Sequence, residues 1–298
     1  MNNNRQQYKQ DCFNSLMKQI KNIMKHNRQG SFKTKERYYE AMKRFCRFAA
    51  DHFELKKVKN LQDKHLKAYI DQMKSQNLSP ATIKTDLAAV RFYHDKCEKT
   101  RYRLSSNQEL GYTEKRKFGG VDRAWSNSEY QKFKEVCKKY GNERASAVAT
   151  LARNEGLRIH ETLKIRRNHV EEALRTGMLY VKGKGGKERW VPLTDESKNM
   201  LKIIIQDIPR GERLFVHEGE RHDRIQKQIQ NFINRHRNKW QDPDREVNRT
   251  FHGLRHAYAR DRYEEFKAQG LSDYQAREEV SKLLGHERDD VTRIYLNK

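Results

Sequence analysis

The stretch "TFHGLRHAYARDRY", residues 250–263, decides how this chain is read. A helix beginning near Thr250 sets His252 and Arg255 three residues apart on one face, with His256 four residues beyond His252. The two histidines have metal-ligand spacing. The glutamate of H-E-x-x-H and a third ligand are both missing, so no metal is expected there. An anion suits the pair better. Arginine offers a rigid fork of donors matched to phosphate oxygens. Histidine titrates near neutrality and moves protons, and a helix N-terminus adds a favourable dipole.

Composition points the same way. Lys and Arg outnumber Asp and Glu by 64 to 40, a formal charge of +24. Such an excess repels itself in a compact fold and calls for a polyanionic partner, though it does not separate DNA from RNA. A hydrophobic fraction of 35% is enough for helical cores under a charged surface, and 298 residues suggest two ordinary domains. Cys12, Cys46, Cys97 and Cys137 lie far apart with no C-x-x-C pair. That argues against a disulfide scaffold and a zinc site, and for a reducing, cytoplasmic setting. No signal peptide or membrane-spanning run is visible.

Working outward, apolar residues at helical spacing predict helices over about 5–27, 34–52, 63–75 and 79–99. Ser79-Pro80 supplies a helix start. The expected division is an N-terminal amphipathic helix (1–30), a helical domain (31–100), a basic linker (101–125) and a second domain (126–298). The second domain opens on Ser126 and Glu129 in a capping-box pattern. Helices are expected to about 140, over 143–154, and again near 194–207, 222–240, 252–269, 273–284 and 289–296. Between them "MLYVKGKGGKERWVPL" (178–193) reads as a hairpin around a Gly-Lys turn. The fold class is therefore mainly α with a small antiparallel β-sheet.

Three further stretches carry candidate chemistry. In "EGLRIHETLKI" (155–165), Arg158 sits among apolar residues, where an arginine needs a partner. A salt bridge to Glu161 on the same helical face accounts for it equally well. Lys184 stands at the hairpin tip, where most lysines are simply solvated, and no P-loop is present. In "KLLGHERDDVTRIYLNK" (282–298), His286 follows Gly285, and Tyr295 falls on a short final helix.

In order, "GLRIHE", "GKGGKERWVPL", "HGLRH", "LLGH" and the terminal tyrosine closely resemble the signature of the tyrosine recombinase (phage integrase) family. The resemblance is strong over about 126–298. The segment "TKERYYEAMKRFCRFAADHF…LSPATIKTDLAAVRFYH" is more loosely similar to the family's helical, SAM-like core-binding domain. The resemblance implies an enzyme that cuts and rejoins duplex DNA through a 3′-phosphotyrosyl link. It implies Tyr295 as nucleophile, with Arg158 and Arg255 clamping the scissile phosphate. Lys184 would protonate the leaving 5′ oxygen, His252 would accept the tyrosine proton or support the phosphate, and His286 would donate to the phosphate. Glu161 would orient Arg158 or stabilise the site rather than react, and His256 would be a packed helix residue.

No cofactor is implied. The expected partners are double-stranded DNA, a homotetramer with a dimer on each site, and in some cases accessory DNA-bending proteins; nucleoid association follows from DNA binding. Lys84 and Arg91 with His94, Lys182, Lys187 and Arg189 on the hairpin, and the basic helix 222–239 are candidate DNA contacts. Only three residues follow Tyr295, which leaves little chain for a C-terminal protomer contact, and the apolar face of residues 8–24 is the expected substitute. Alternative readings are a type IB topoisomerase-like relaxing enzyme and a non-catalytic DNA-binding regulator. Integration, excision and resolution are not distinguished.

Overall fold

The structure, a computed structural model of the chain, describes all residues except 1, 28, 31, 116–120, 184–185, 286–288 and 297–298, and omits the side chains of 2, 3, 289–291 and 294. It forms two compact units, Met1–Lys117 and Phe118–Lys298.

The first unit holds helices α1 (Asn2–His26), α2 (Phe32–Phe53), α3 (Asp63–Ser75) and α4 (Pro80–Asp95), with a 3₁₀ turn at Val58–Asn60. Helix α4 begins as expected: Ser79 Oγ accepts from the Thr82 amide at 3.2 Å, with Pro80 just inside the helix. Phe45, Leu66, Met73, Ile83 and Leu87 fill the core. One buried carboxylate, Asp86, is satisfied by Arg44 at 2.7 Å and the Tyr69 hydroxyl at 3.0 Å.

Two expectations change here. The apolar face of residues 8–24 is not left over for another protomer. Cys12, Leu16 and Ile20 are at most 1% exposed. Leu16 and Ile20 lie in the same core as Phe45 and Leu66. Gln19 pins α1 down through the Lys56 carbonyl (2.7 Å) and the Val58 amide (3.1 Å). The stretch 101–125 is also taken up by structure at both ends. Leu104 and Tyr112 are buried in the first core. Ser105 binds Asp63 through its amide and hydroxyl at 2.9 and 2.6 Å. Trp125 belongs to the core of the second unit.

The second unit runs α5 (Asn127–Lys139), α6 (Glu143–Asn154), α7 (Ile159–Thr162), α8 (Arg167–Thr176), β1 (Met178–Lys182), β2 (Glu188–Pro192), α9 (Asp195–Ile204), α10 (His222–Arg235), α11 (His252–Ala268), α12 (Asp273–Leu284) and α13 (Asp289–Leu296). The capping box at Ser126 and Glu129 forms in both directions, at 3.1 and 2.7 Å. The hairpin is antiparallel, pairing Leu179 with Val191 and Val181 with Arg189. Leu179, Val181 and Val191 point inward, while Trp190 is 48% exposed.

Helix α8 has no counterpart in the sequence reading. Its buried residues are only Val170 and Ala173, a stripe too narrow to stand out. Its end is signalled by Gly177 in the left-handed conformation.

The start of α11 is fixed by Trp125. The indole donates to the Thr250 carbonyl at 2.8 Å and stacks on Trp240 at 3.9 Å. A Cβ at residue 253 would lie 2.3 Å from the Arg123 carbonyl oxygen and 2.6 Å from the Trp125 ring. Glycine in "HGLRH" therefore lets the helix lie against Trp125 at van der Waals distance. Helices α12 and α13 close a separate small core with α11, built on Tyr258, Val280, Leu284 and Tyr295.

Candidate active site

The first turn of α11 carries two of the site's groups. Arg255 is 1% exposed. It donates to the Gly156 carbonyl and, at 2.6 Å, to the Leu284 carbonyl. These bonds join α11 to the turn after α6 and to the end of α12. Gly156 has φ +65°, and a Cβ there would lie 2.4 Å from the Tyr258 ring, so only glycine presents this carbonyl. Burial lowers the Arg255 pKa to about 10, partly offset by Tyr295, and the guanidinium stays charged at neutral pH.

His252 meets Tyr295 across the α11–α13 contact. The tyrosine hydroxyl lies 3.1 Å from His252 Nε2. Tyr295 is 6% exposed. Its ring also packs against His256 at 4.5 Å and lies 5.5 Å from the Arg255 guanidinium.

His252 is exposed to solvent, yet the protein packed around it lowers its pKa to about 3, assisted by His256, Arg255 and Arg158. His252 is neutral at physiological pH and has a lone pair to offer. His256 is lowered to about 4, again chiefly by burial, against a backbone hydrogen bond with Tyr295.

Arg158 caps the short helix α7 and is tied to Glu161. Its amide donates to Oε2 at 3.0 Å and its Nη1 to Oε1 at 2.8 Å. The salt bridge weighed from the sequence is therefore real. Arg158 also contributes to the electrostatic field felt by His252 and Arg255. Glu161 is buried, which by itself would raise its pKa. Arg189 and Arg158 overcome that and hold it down at about 2.

The remaining candidates divide. Lys184 and His286 lie outside the described residues. Lys187 is exposed on the hairpin, and Lys182 pairs with Glu188 at 3.1 Å while remaining exposed. Arg189 has a different place from the DNA contact expected of it. Its side chain is 9% exposed and faces Glu161. The strand shows why: 189 has the parity of buried Val191, so its side chain points inward. That parity is readable in "ERWVP".

On α4, Lys84 is half-buried. Arg91 is committed to the Ser105 carbonyl (2.7 Å) and Asn107 (2.8 Å), and His94 is 2% exposed. These two do not present free donors to DNA. Helix α10 buries Ile225, Ile229 and Ile233 and leaves Arg224, Lys227 and Arg235 exposed, an arrangement suited to a phosphate backbone. Among the described residues no three His, Cys, Asp or Glu side chains group as metal ligands, and no helix is long and apolar enough to cross a membrane.

Comparison with known proteins bears on this arrangement. Tyrosine recombinase XerC of Rickettsia massiliae (strain Mtu5) is 23% identical over 205 residues, 65% of this chain and 66% of that protein. XerC of Rickettsia africae (strain ESF-5) is 24% identical over 181 residues, 58% of each. The chain thus spans about two thirds or less of the curated relatives it matches.

Among solved structures, a lambda integrase dimer bound to a COC′ core site aligns with a TM-score of 0.66 at 17% identity, over 95% of this chain and 76% of that one. A Tn1549 transposon integrase in complex with transposon right end DNA aligns with a TM-score of 0.61 at 12% identity, over 94% of each. These share the fold. The sequence profile described as "Phage integrase, N-terminal" matches residues 13–102, and that of the Phage integrase family matches residues 125–298. With that profile covering more than half of its length, the chain belongs to the phage integrase family.

Proposed function

We propose that this protein is a site-specific recombinase that breaks and rejoins duplex DNA through Tyr295. The observation that carries the reading is the contact of the Tyr295 hydroxyl with neutral His252, beside the buried Arg255 guanidinium. In the reaction the phenolic oxygen attacks the scissile phosphorus and its proton passes to His252 Nε2, with the imidazole in the tautomer protonated at Nδ1. The P–O5′ bond breaks and a 3′-phosphotyrosyl link forms.

Arg255 and Arg158 stabilise the charge that builds on the non-bridging oxygens, the larger part of the acceleration in such sites. The departing 5′ oxygen takes a proton from Lys184, and His286 donates to the phosphate; both roles rest on the sequence motifs. Rejoining runs the steps backward. A 5′ hydroxyl displaces the tyrosine, which recovers its proton, and the retained phosphodiester energy makes ATP unnecessary. The expected assembly is a dimer on each DNA site and a tetramer during exchange, in the cytoplasm.

The test is covalent capture. The protein is incubated with sheared DNA from its source organism, and detergent-resistant adducts are recovered and sequenced. Tyr295→Phe should lose the adducts while keeping DNA binding. Adducts that persist in that variant would remove Tyr295 from the role. Adducts spread without sequence preference, with relaxation of plasmids lacking any recovered site, would favour a topoisomerase.

A further inference from the structure

Resting on that reading, we infer that Arg189 is a positioning residue, which holds Arg158 on the scissile phosphate by way of Glu161. The Glu161 carboxylate is shared between two guanidinium groups. Arg189 Nη2 lies 2.8 Å from Oε2 and Nη1 lies 3.3 Å from Oε1, while Arg158 Nη1 takes Oε1 at 2.8 Å. A carboxylate with two oxygens and about four lone-pair sites satisfies both. Glu161 has no freedom to follow Arg158 elsewhere, because Arg189 fixes it from the other side.

Arg189 is itself anchored. Its Nε donates to the Leu283 carbonyl at 3.0 Å, next to the Leu284 carbonyl that Arg255 takes at 2.6 Å. Two adjacent carbonyls at the end of α12 therefore bind two different arginines of the site, and their positive charge suits a helix C-terminus. Strand β2, helix α7 and the end of α12 meet at one side chain.

The backbone has been shaped around this pair. A Cβ at residue 183 would lie 3.0 Å from Glu161 Oε1, and one at residue 285 would lie 3.1 Å from Arg189 Cδ. Glycine at both positions leaves the space that the ion pair occupies. Lysine cannot replace Arg189 here. Its point charge lacks the fork that spans a carboxylate and a third acceptor at once.

The experiment uses the full-length protein and a DNA fragment recovered by covalent capture, in two forms: an ordinary phosphodiester and a methylphosphonate at the scissile position. The methylphosphonate is neutral, so it needs less of the Arg158 charge. Arg189→Lys should bind the phosphodiester DNA as wild type does and form adducts roughly 10²-fold more slowly, the cost of a misplaced group near the chemistry. On the methylphosphonate most of that deficit should disappear.

Glu161→Gln should show the same pattern, and the double variant should be no slower than either single one, because both act along one path. An Arg189→Lys variant as fast as wild type, or slowed equally on both substrates, overturns the inference and leaves the proposed function standing. Absence of adducts in the wild type overturns both.

Discussion

Tyr295 Oη and His252 Nε2 lie 3.1 Å apart, although 43 residues separate them in the chain. Helices α11 and α13 bring them together over a small apolar core that includes Tyr258 and Leu284. The nucleophile and its proton acceptor are thus joined by packing, and His256 packs on the tyrosine ring at 4.5 Å, next to His252 at 5.2 Å.

That relationship predicts a displaced pH profile. His252 has its pKa lowered to about 3 by crowding and by positive neighbours. A base is lost only as pH falls through its own pKa. Adduct formation measured at limiting DNA, which reports the free protein, should keep its full rate below about pH 6, under the usual histidine value of about 6.5. An acid limb at or above 6.5 would show that another group is the acceptor. His252→Gln should slow adduct formation by about 10²–10⁴-fold, the range for a positioned acid–base group.

The two phosphate-binding arginines should separate by stability. Arg158→Ala should slow adduct formation about 10²–10³-fold with a small change in melting temperature, since Glu161 keeps Arg189. Arg255→Ala should slow the reaction as much and also destabilise the fold by about 1–3 kcal/mol, because the Gly156 and Leu284 carbonyls lose a buried donor. Denaturant titration of both variants checks the difference.

Glu155 sets a second pH dependence. It is fully buried, accepts from Thr194 and Ser197, and has its pKa raised by burial to about 8. Between the unfolded value of 4.5 and about 8 the folded state binds the extra proton, so stability falls as pH rises. Glu155→Gln should flatten that decline in urea titrations from pH 5 to 8. An unchanged slope would mean that the carboxyl is ionised in the fold.

Helix α1 should behave as core. Leu16→Ala should cost the first unit about 2–5 kcal/mol, the usual range for a buried leucine. Deleting residues 1–28 should expose the apolar surface of α2 and cause dye binding and loss of cooperative melting. A truncated protein that melts like the intact one would return the helix to a role outside the fold.

The order of the motifs, most helix boundaries and the hairpin were legible in the chain itself, because local periodicity, caps and Gly-rich turns are written in adjacent residues. So were Arg158, His252, Arg255 and Tyr295 as candidates. The sequence could not show where each side chain's hydrogen bonds would go. Arg91 and Arg189 look alike in the sequence as basic residues available to DNA. One is spent on Ser105 and the other on Glu161, since each lies against a partner distant in the chain. Helix α1 likewise has an amphipathic pattern that fits an intramolecular core or another protomer equally well. Burial depends on which surfaces meet, and only the folded chain decides that.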